Sequence, residues 1–243
     1  SLHLDGGTYS APDSSGSTII NDESGNQAFD NDGTFTHNGG TVTITTAGNS
    51  QIDWIGTGSG NLNNLTYSGG AILEWTVNGG TIDGNLNITN GTLQSSNGNK
   101  ALTVTGDVIV GDGTGSANTA ILGNASEEAA QTFGSLTIDS DGKYLATSGT
   151  TTLTKDDTSQ FIYETISGGT FTHNSGTLTI TGDGRVKPRA GTGNFNNVIL
   201  NASGNTIEQG ADTTIDNDLT ITAGEWSTGY SGFGYSNLTV TGD

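Results

Sequence analysis

The chain has no cysteine and no methionine, only two prolines, and six basic residues against 25 acidic ones. Without thiols it can form no disulfide, no thiolate metal site and no cysteine nucleophile. Six Lys and Arg in 243 residues, at a formal net charge of −19, argue against nucleic acid as a partner, because phosphate binding needs concentrated positive charge. The same balance disfavours anionic membranes. No apolar run reaches the roughly 18 residues of a membrane-spanning helix, so no membrane insertion is expected. Helical periodicity is missing too: Ser126-Glu127-Glu128-Ala129-Ala130-Gln131 is the one candidate for a helical turn. There is no secretory leader pattern, and residue 1 is Ser. Together with a C-terminus inside a repeat, this reads as a segment of a longer polypeptide.

What is present is short-range order. Only 30% of the chain is apolar, which with the charge would suggest disorder on bulk numbers alone. The local pattern overrules that. Alternating aliphatics recur at Val42/Ile44, Leu86/Ile88, Leu102/Val104, Val108/Val110, Leu136/Ile138, Leu178/Ile180, Leu219/Ile221 and Leu238/Val240, with Thr, Asn or Asp between them. This is the period-2 signature of half-buried strands, aliphatics inward and Thr outward. Thr suits the outer positions because its branched Cβ favours extended backbone. Asn38-Gly39, Asn78-Gly79, Asn90-Gly91, Asp112-Gly113 and Asp183-Gly184 bound the runs with residues that tolerate positive φ.

Most of the chain occurs twice. Gly33-Thr34-Phe35-Thr36-His37-Asn38 returns as Gly169-Thr170-Phe171-Thr172-His173-Asn174, and Leu102 to Asp107 returns as Leu238 to Asp243, both 136 residues on. Asn61 to Leu65 matches Asn194 to Val198, Thr81-Ile82-Asp83 matches Thr214-Ile215-Asp216, and Ser1 to Asp5 aligns with Ser135 to Asp139. We divide the chain at this unit of about 135 residues, 1–134 and 135–243, the second truncated and continuous with the first. A long repeat made of short strands predicts a stacked solenoid. The expected fold is all-β: a single-stranded right-handed parallel β-helix of ten to twelve coils. The competing architecture is an array of β-sandwich domains.

Five groups of residues are weighed for function. His37 and His173 stand at equivalent places and read as turn-forming residues. Asp139/Asp141, Asp156/Asp157 and Asp216/Asp218 are the paired carboxylates a polysaccharide-degrading β-helix would use, but each sits in turn chemistry, and the expectation is no enzyme and no catalytic residue. No cofactor is expected. A weak surface calcium site is the one ion the acidity leaves open, through Asp30-Asn31-Asp32-Gly33 or Asp139-Ser140-Asp141-Gly142. Arg185, Lys187 and Arg189 would share one face of a strand interrupted by Pro188, a basic patch expected to grip acids on a neighbouring coil or copy, and so a candidate inter-chain patch, or else to contact a partner. Trp226, Tyr230, Phe233 and Tyr235, interleaved with glycine, are the candidate contact for a glycan or partner.

Gly-Thr-Phe-Thr-His-Asn, Asn-x-Asn-Asn-[Leu/Val] and Leu-Thr-Val-Thr-Gly-Asp together resemble the long Gly/Thr/Asn repeats of phage structural proteins and, more loosely, β-helical passenger regions of bacterial adhesins. The resemblance implies an extracellular fibre on a virion or cell surface, with copies of itself, other particle proteins or a host glycan as partners. It carries over no catalytic or ligand residue, because the matching motifs belong to the scaffold.

Overall fold

A computed structural model describes residues 1–22, 26–55, 58–189, 193–230 and 234–242. The chain is a parallel β-solenoid. Nineteen strands join in one continuous sheet that winds along the chain, and two further parallel pairs extend it. Among the described residues, antiparallel pairing is confined to the small hairpin Gly229–Tyr230 with Gly234–Tyr235 and an isolated bridge between Asp13 and Gly39.

Each coil has three faces, carried by strands or, at Ser59, Leu62 and Phe195, by isolated parallel bridges. Leu2–Leu4, Thr8–Ser10 and Ser17–Asp22 make the first coil; Gln27–Asn31, Thr34–Thr36 and Thr41–Thr46 lie on them in the same order. The third face can be followed residue by residue. Ile20 pairs with Ile44, Ile44 with Tyr67, Tyr67 with Ile88, Ile88 with Val110, and Val110 with Ile138. All six side chains are buried. Pairing in register makes every inward residue cover its counterpart one coil below, so a chain poor in apolar residues still encloses a continuous core. Ten coils stacked at the interstrand spacing of about 4.8 Å give a rod on the order of 50 Å.

Coil length varies, from 19 residues (Ile207 to Trp226) to 29 (Leu93 to Leu122). The surplus leaves as loops at the corners. There the five Asn-Gly and Asp-Gly steps act as expected: Gly39, Gly79, Gly91, Gly113 and Gly184 all have positive φ. Ser126 to Gln131 does not form a helical turn. The carboxylate of Glu127 instead turns inward to accept hydrogen bonds from the Ser95 N–H (2.8 Å) and Oγ (2.7 Å) of the preceding coil, which holds this segment in an open turn. A short 3-10 turn occurs at Ser96–Gly98.

Aromatic rings pack against one another in the core. Phe171 lies between Tyr144, Tyr163 and Phe195, with ring centroids 5.9, 5.8 and 5.5 Å away. Phe35, its counterpart in the first unit, packs against Phe29 at 5.3 Å and stacks on Tyr9 at 5.8 Å.

The sequence repeat is not a whole number of coils. Along the first face, successive coils contribute Leu2, Phe29, Ile52, Trp75, then Leu93, Leu122, Tyr144 and Phe171, which puts Thr170–Thr172 in the eighth coil. Its counterpart Thr34–Thr36 lies on the second face of the second coil. The two are seventeen faces apart, or five coils and two-thirds. Leu2–Leu4 and its counterpart within Gln131–Ile138 give the same count, from the first face of coil one to the third face of coil six. Equivalent features of the two units therefore look out from different sides of the rod. The sheet is continuous through the 134/135 boundary, because Gln131–Ile138 spans it.

Candidate binding surface

A strand bulge recurs in both units. In the first, register slips between Gln27 and Phe29 where they pair with Gln51 and Ile52; in the second, it slips between Phe161 and Tyr163 where they pair with Arg185 and Val186. An extra residue on one strand bends it and re-aims its neighbours. The first bulge borders an open trench of about 690 Å³ lined by His3, Asn26, Gln27, Asn49, Gln51 and Glu74, with Ile72 as its apolar member and the buried Ser50 at its floor. It runs along the first face across four coils, with Gln27, Gln51 and Glu74 in consecutive register.

The second bulge, on the third face, borders a smaller hollow of about 210 Å³ that reaches back over the preceding coils, between Asp107, Ile109, Ser135, Thr137, Lys155, Gln160, Phe161 and Glu164. The counterparts of Gln27 and Gln51 in the second unit are Phe161, which lines this hollow, and Arg185, which lies one coil further on. The Arg185 guanidinium meets Glu208 (Nε to Oε2, 3.3 Å) and the Ser159 carbonyl (3.0 Å), while Lys187 meets Glu164 at 2.7 Å and lies 4.6 Å from the Phe161 ring centroid. Two members of the basic cluster thus grip acids on neighbouring coils of their own chain. Arg189 follows Pro188 on the same outward side and is exposed. Beyond them, Lys155 and Ser135 hold the Asp107 carboxylate at 2.6 and 2.7 Å. Burial works to raise the Asp107 carboxyl, but these hydrogen bonds and the Lys155 charge outweigh it and hold it below the ordinary carboxylate range.

The histidines are inter-coil clips. His37 Nδ1 accepts the Gly39 N–H at 2.9 Å, and Nε2 lies 3.5 Å from Asp83, whose other oxygen accepts from Asn61 at 3.0 Å. His173, Ser175, Asp216 and Asn194 repeat this arrangement at 2.8, 3.6 and 2.8 Å. Asn38 and Asn174, at φ +49° and +45°, donate to the carbonyls of Ala11 and Ala146 on the coil below. Nδ1 thus locks the turn, and Nε2 faces an Asp of the neighbouring strand region. Sequence reading missed this partnership. The signal was there: the Asn and the Asp recur in the second unit along with the His.

Asp139, Asp141, Asp156, Asp157 and Asp216 of the paired carboxylates accept hydrogen bonds in turns and clips. Asp141 is buried and accepts the backbone N–H groups of Asp112, Gly113 and Gly115 at 3.0, 2.9 and 3.2 Å, closing the 111–119 loop. Asp139 bonds the Ser140 N–H, Asp156 the Asp183 N–H, and Asp157 the Ser159 N–H and hydroxyl, which hold its carboxyl low. In the other calcium candidate, Asn31 points into the core and donates to the Trp54 and Ser59 carbonyls, while Asp30 lies 3.5 Å from His3. Among the described residues, no three His, Asp or Glu side chains form a group that could hold a metal ion.

Two of the four aromatic candidates can be placed. Trp226 packs against the core, and its indole N–H donates to Gln209 Oε1 at 3.0 Å. Tyr235 is 94% exposed on the hairpin. Phe233 and the side chain of Tyr230 lie outside the described residues. Compared with family models, curated proteins and solved structures, the chain finds no match.

Proposed function

We propose that this chain is a non-catalytic structural segment of an extracellular fibre, a phage tail or capsid appendage that carries a host-facing surface away from the particle. The observation that carries this reading is the unbroken stacking of ten coils along one axis over a continuous core. Such a stack resists bending and sets a length, because each coil is locked to the next by ladder hydrogen bonds. The use of the acids supports it further: Asp141, Asp156, Asp157 and Asp216 are spent on turns and clips. A net charge of −19 keeps such rods apart in solution.

Immunogold labelling with antibody to the purified chain tests the assignment on virion-enriched and cell-surface fractions. Gold on particle appendages is the expected result. Gold on cell envelopes alone would make the chain part of a bacterial adhesin or filament instead. Release of reducing ends from a polysaccharide, abolished by a single Asp→Asn change, would replace both readings with an enzyme.

A further inference from the structure

We infer that the open trench of the first unit is a binding site for a linear, uncharged polysaccharide, held by Gln27, Gln51 and Glu74 with His3 and Asn26 at its margins. This deepens the proposed function and rests on its reading of the rod as an element that displays its sides.

Four observations lead there. First, the trench is a built feature: its bulge recurs in the second unit at the equivalent place, and bulges re-aim side chains. Second, among the described residues the side-chain amides of Gln27 and Gln51 have no hydrogen-bond partner, although each brings a donor pair and an acceptor to the wall. The equivalent residues of the second unit, Phe161 and Arg185, are spent on packing and an ion pair. Third, the lining selects a chemistry. Ile72 is its one apolar side chain, which offers little to a hydrophobic ligand. Glu74, with the overall charge of −19, repels polyanions. A polycation would find stronger acidic ground elsewhere on the rod and no reason to prefer this place. Hydroxyls that both donate and accept suit amides and a carboxylate. Fourth, Gln27, Gln51 and Glu74 succeed one another at the coil spacing of about 4.8 Å. A chain lying along the axis therefore meets a fresh polar side chain at every coil.

The test is biolayer interferometry of the purified chain on immobilised dextran, galactomannan and chitin oligosaccharides, with hyaluronan and polylysine as charged counterparts. At least one neutral glycan should bind and stay bound in about 1 M NaCl, where the screening length is about 3 Å. The double variant Gln27→Ala/Gln51→Ala should weaken that binding roughly tenfold, the loss expected for two hydrogen bonds. Gln27→Phe/Gln51→Arg, which installs the second unit's residues, should abolish it. Both variants change outward side chains and should leave the thermal unfolding midpoint in place, which separates a lost site from a lost fold. Binding only to hyaluronan or polylysine, binding removed by salt, undiminished binding by both variants, or no binding at all would each overturn the inference. Loss of binding on Trp226→Ala with both trench variants intact would move the site to the hairpin end. None of these outcomes bears on the rod, whose shape is read separately by electron microscopy of the same sample.

Discussion

Glu127 offers a sharp test of how this solenoid tolerates charge inside it. Its carboxylate has no exposed surface and accepts three donors: the Ser95 N–H and Oγ at 2.8 and 2.7 Å, and the Asn124 side chain at 3.1 Å. Its own carbonyl accepts the Ser148 N–H of the following coil, so the residue ties three coils together. Burial pushes the carboxyl up, and the Ser95 hydrogen bonds pull it only part of the way back. Glu127→Ala strands three donors at about 1 kcal/mol each and removes apolar stem at about 0.8 kcal/mol per buried methylene, for a loss of about 3–5 kcal/mol. Glu127→Gln keeps an acceptor for Ser95 N–H and Asn124, and its new N–H2 can donate to Ser95 Oγ if that hydroxyl rotates. It should cost under about 1 kcal/mol at neutral pH.

The pH dependence separates the two effects. A carboxyl raised in the fold binds more protons in the native than in the unfolded state between its two pKa values, so native stability falls as pH rises through that window. The window opens near the ordinary glutamate value of about 4.3 and closes at the raised native value. Glu127→Gln removes the slope. Urea denaturation from pH 4 to pH 8 measures the difference, with amide exchange at Ser95, Gly98 and Ser148 as the local readout because long repeat stacks need not unfold in one step. A Gln variant as damaged as the Ala variant would refute the reasoning. So would a wild-type-to-Gln difference that stays constant across that pH range.

Two further outcomes follow from packing and pairing. Phe171→Ala removes a ring in contact with three others and should cost about 3–5 kcal/mol in urea denaturation, whereas Thr172→Ala on the same strand's outer side should cost under about 0.5 kcal/mol. Asp107 is held below the ordinary carboxylate range, so its contribution is complete above that range and is lost as pH falls through the lowered value. Lys155→Met should therefore destabilise the chain at pH 6 and converge with wild type as pH falls through that lowered value; a gap that persists once the carboxyl is protonated would remove the ion pair from the account.

The direction of side chains was legible in the sequence, and the identity of neighbours was not. Val42/Ile44, Leu86/Ile88, Val108/Val110 and Leu136/Ile138 all point inward as period-2 alternation requires. Ile221 and Val240 obey the same pattern yet are 49% and 40% exposed, because they lie in the last two coils. Alternation fixes a face, while burial depends on the next coil. Pairing across coils demands the coil length, and that varies by ten residues with no marker in the chain. Arg185 finds Glu208 and Lys187 finds Glu164, each 23 residues away, distances that mean nothing until register is known. The trench was hidden for the same reason, since its lining comes from four coils. Glu127 was hidden for another: nothing in Ser-Glu-Glu-Ala-Ala says which glutamate turns inward.

Register also makes a stronger claim, that the unit of construction is the coil rather than the sequence repeat. Val108 pairs with Leu136 and Val110 with Ile138, so deleting residues 108–135 sets Leu136 where Val108 was, on the same face and with the same alternation. The strands above and below close up likewise. Leu93 then meets Tyr144 in place of Leu122, and Val104 meets Leu153 in place of Phe133, all inward-facing residues. Ser95 loses Glu127 and the core loses Phe133, so the shortened chain should unfold at lower urea, by several kcal/mol. It should nevertheless remain a parallel β-rod by circular dichroism, shorter by one interstrand step of about 4.8 Å in small-angle scattering. A deletion of similar size displaced by one residue at a single end puts every following side chain on the wrong face, and should leave the second unit unfolded. Equal folding of the two deletions would mean that register does not hold this rod together.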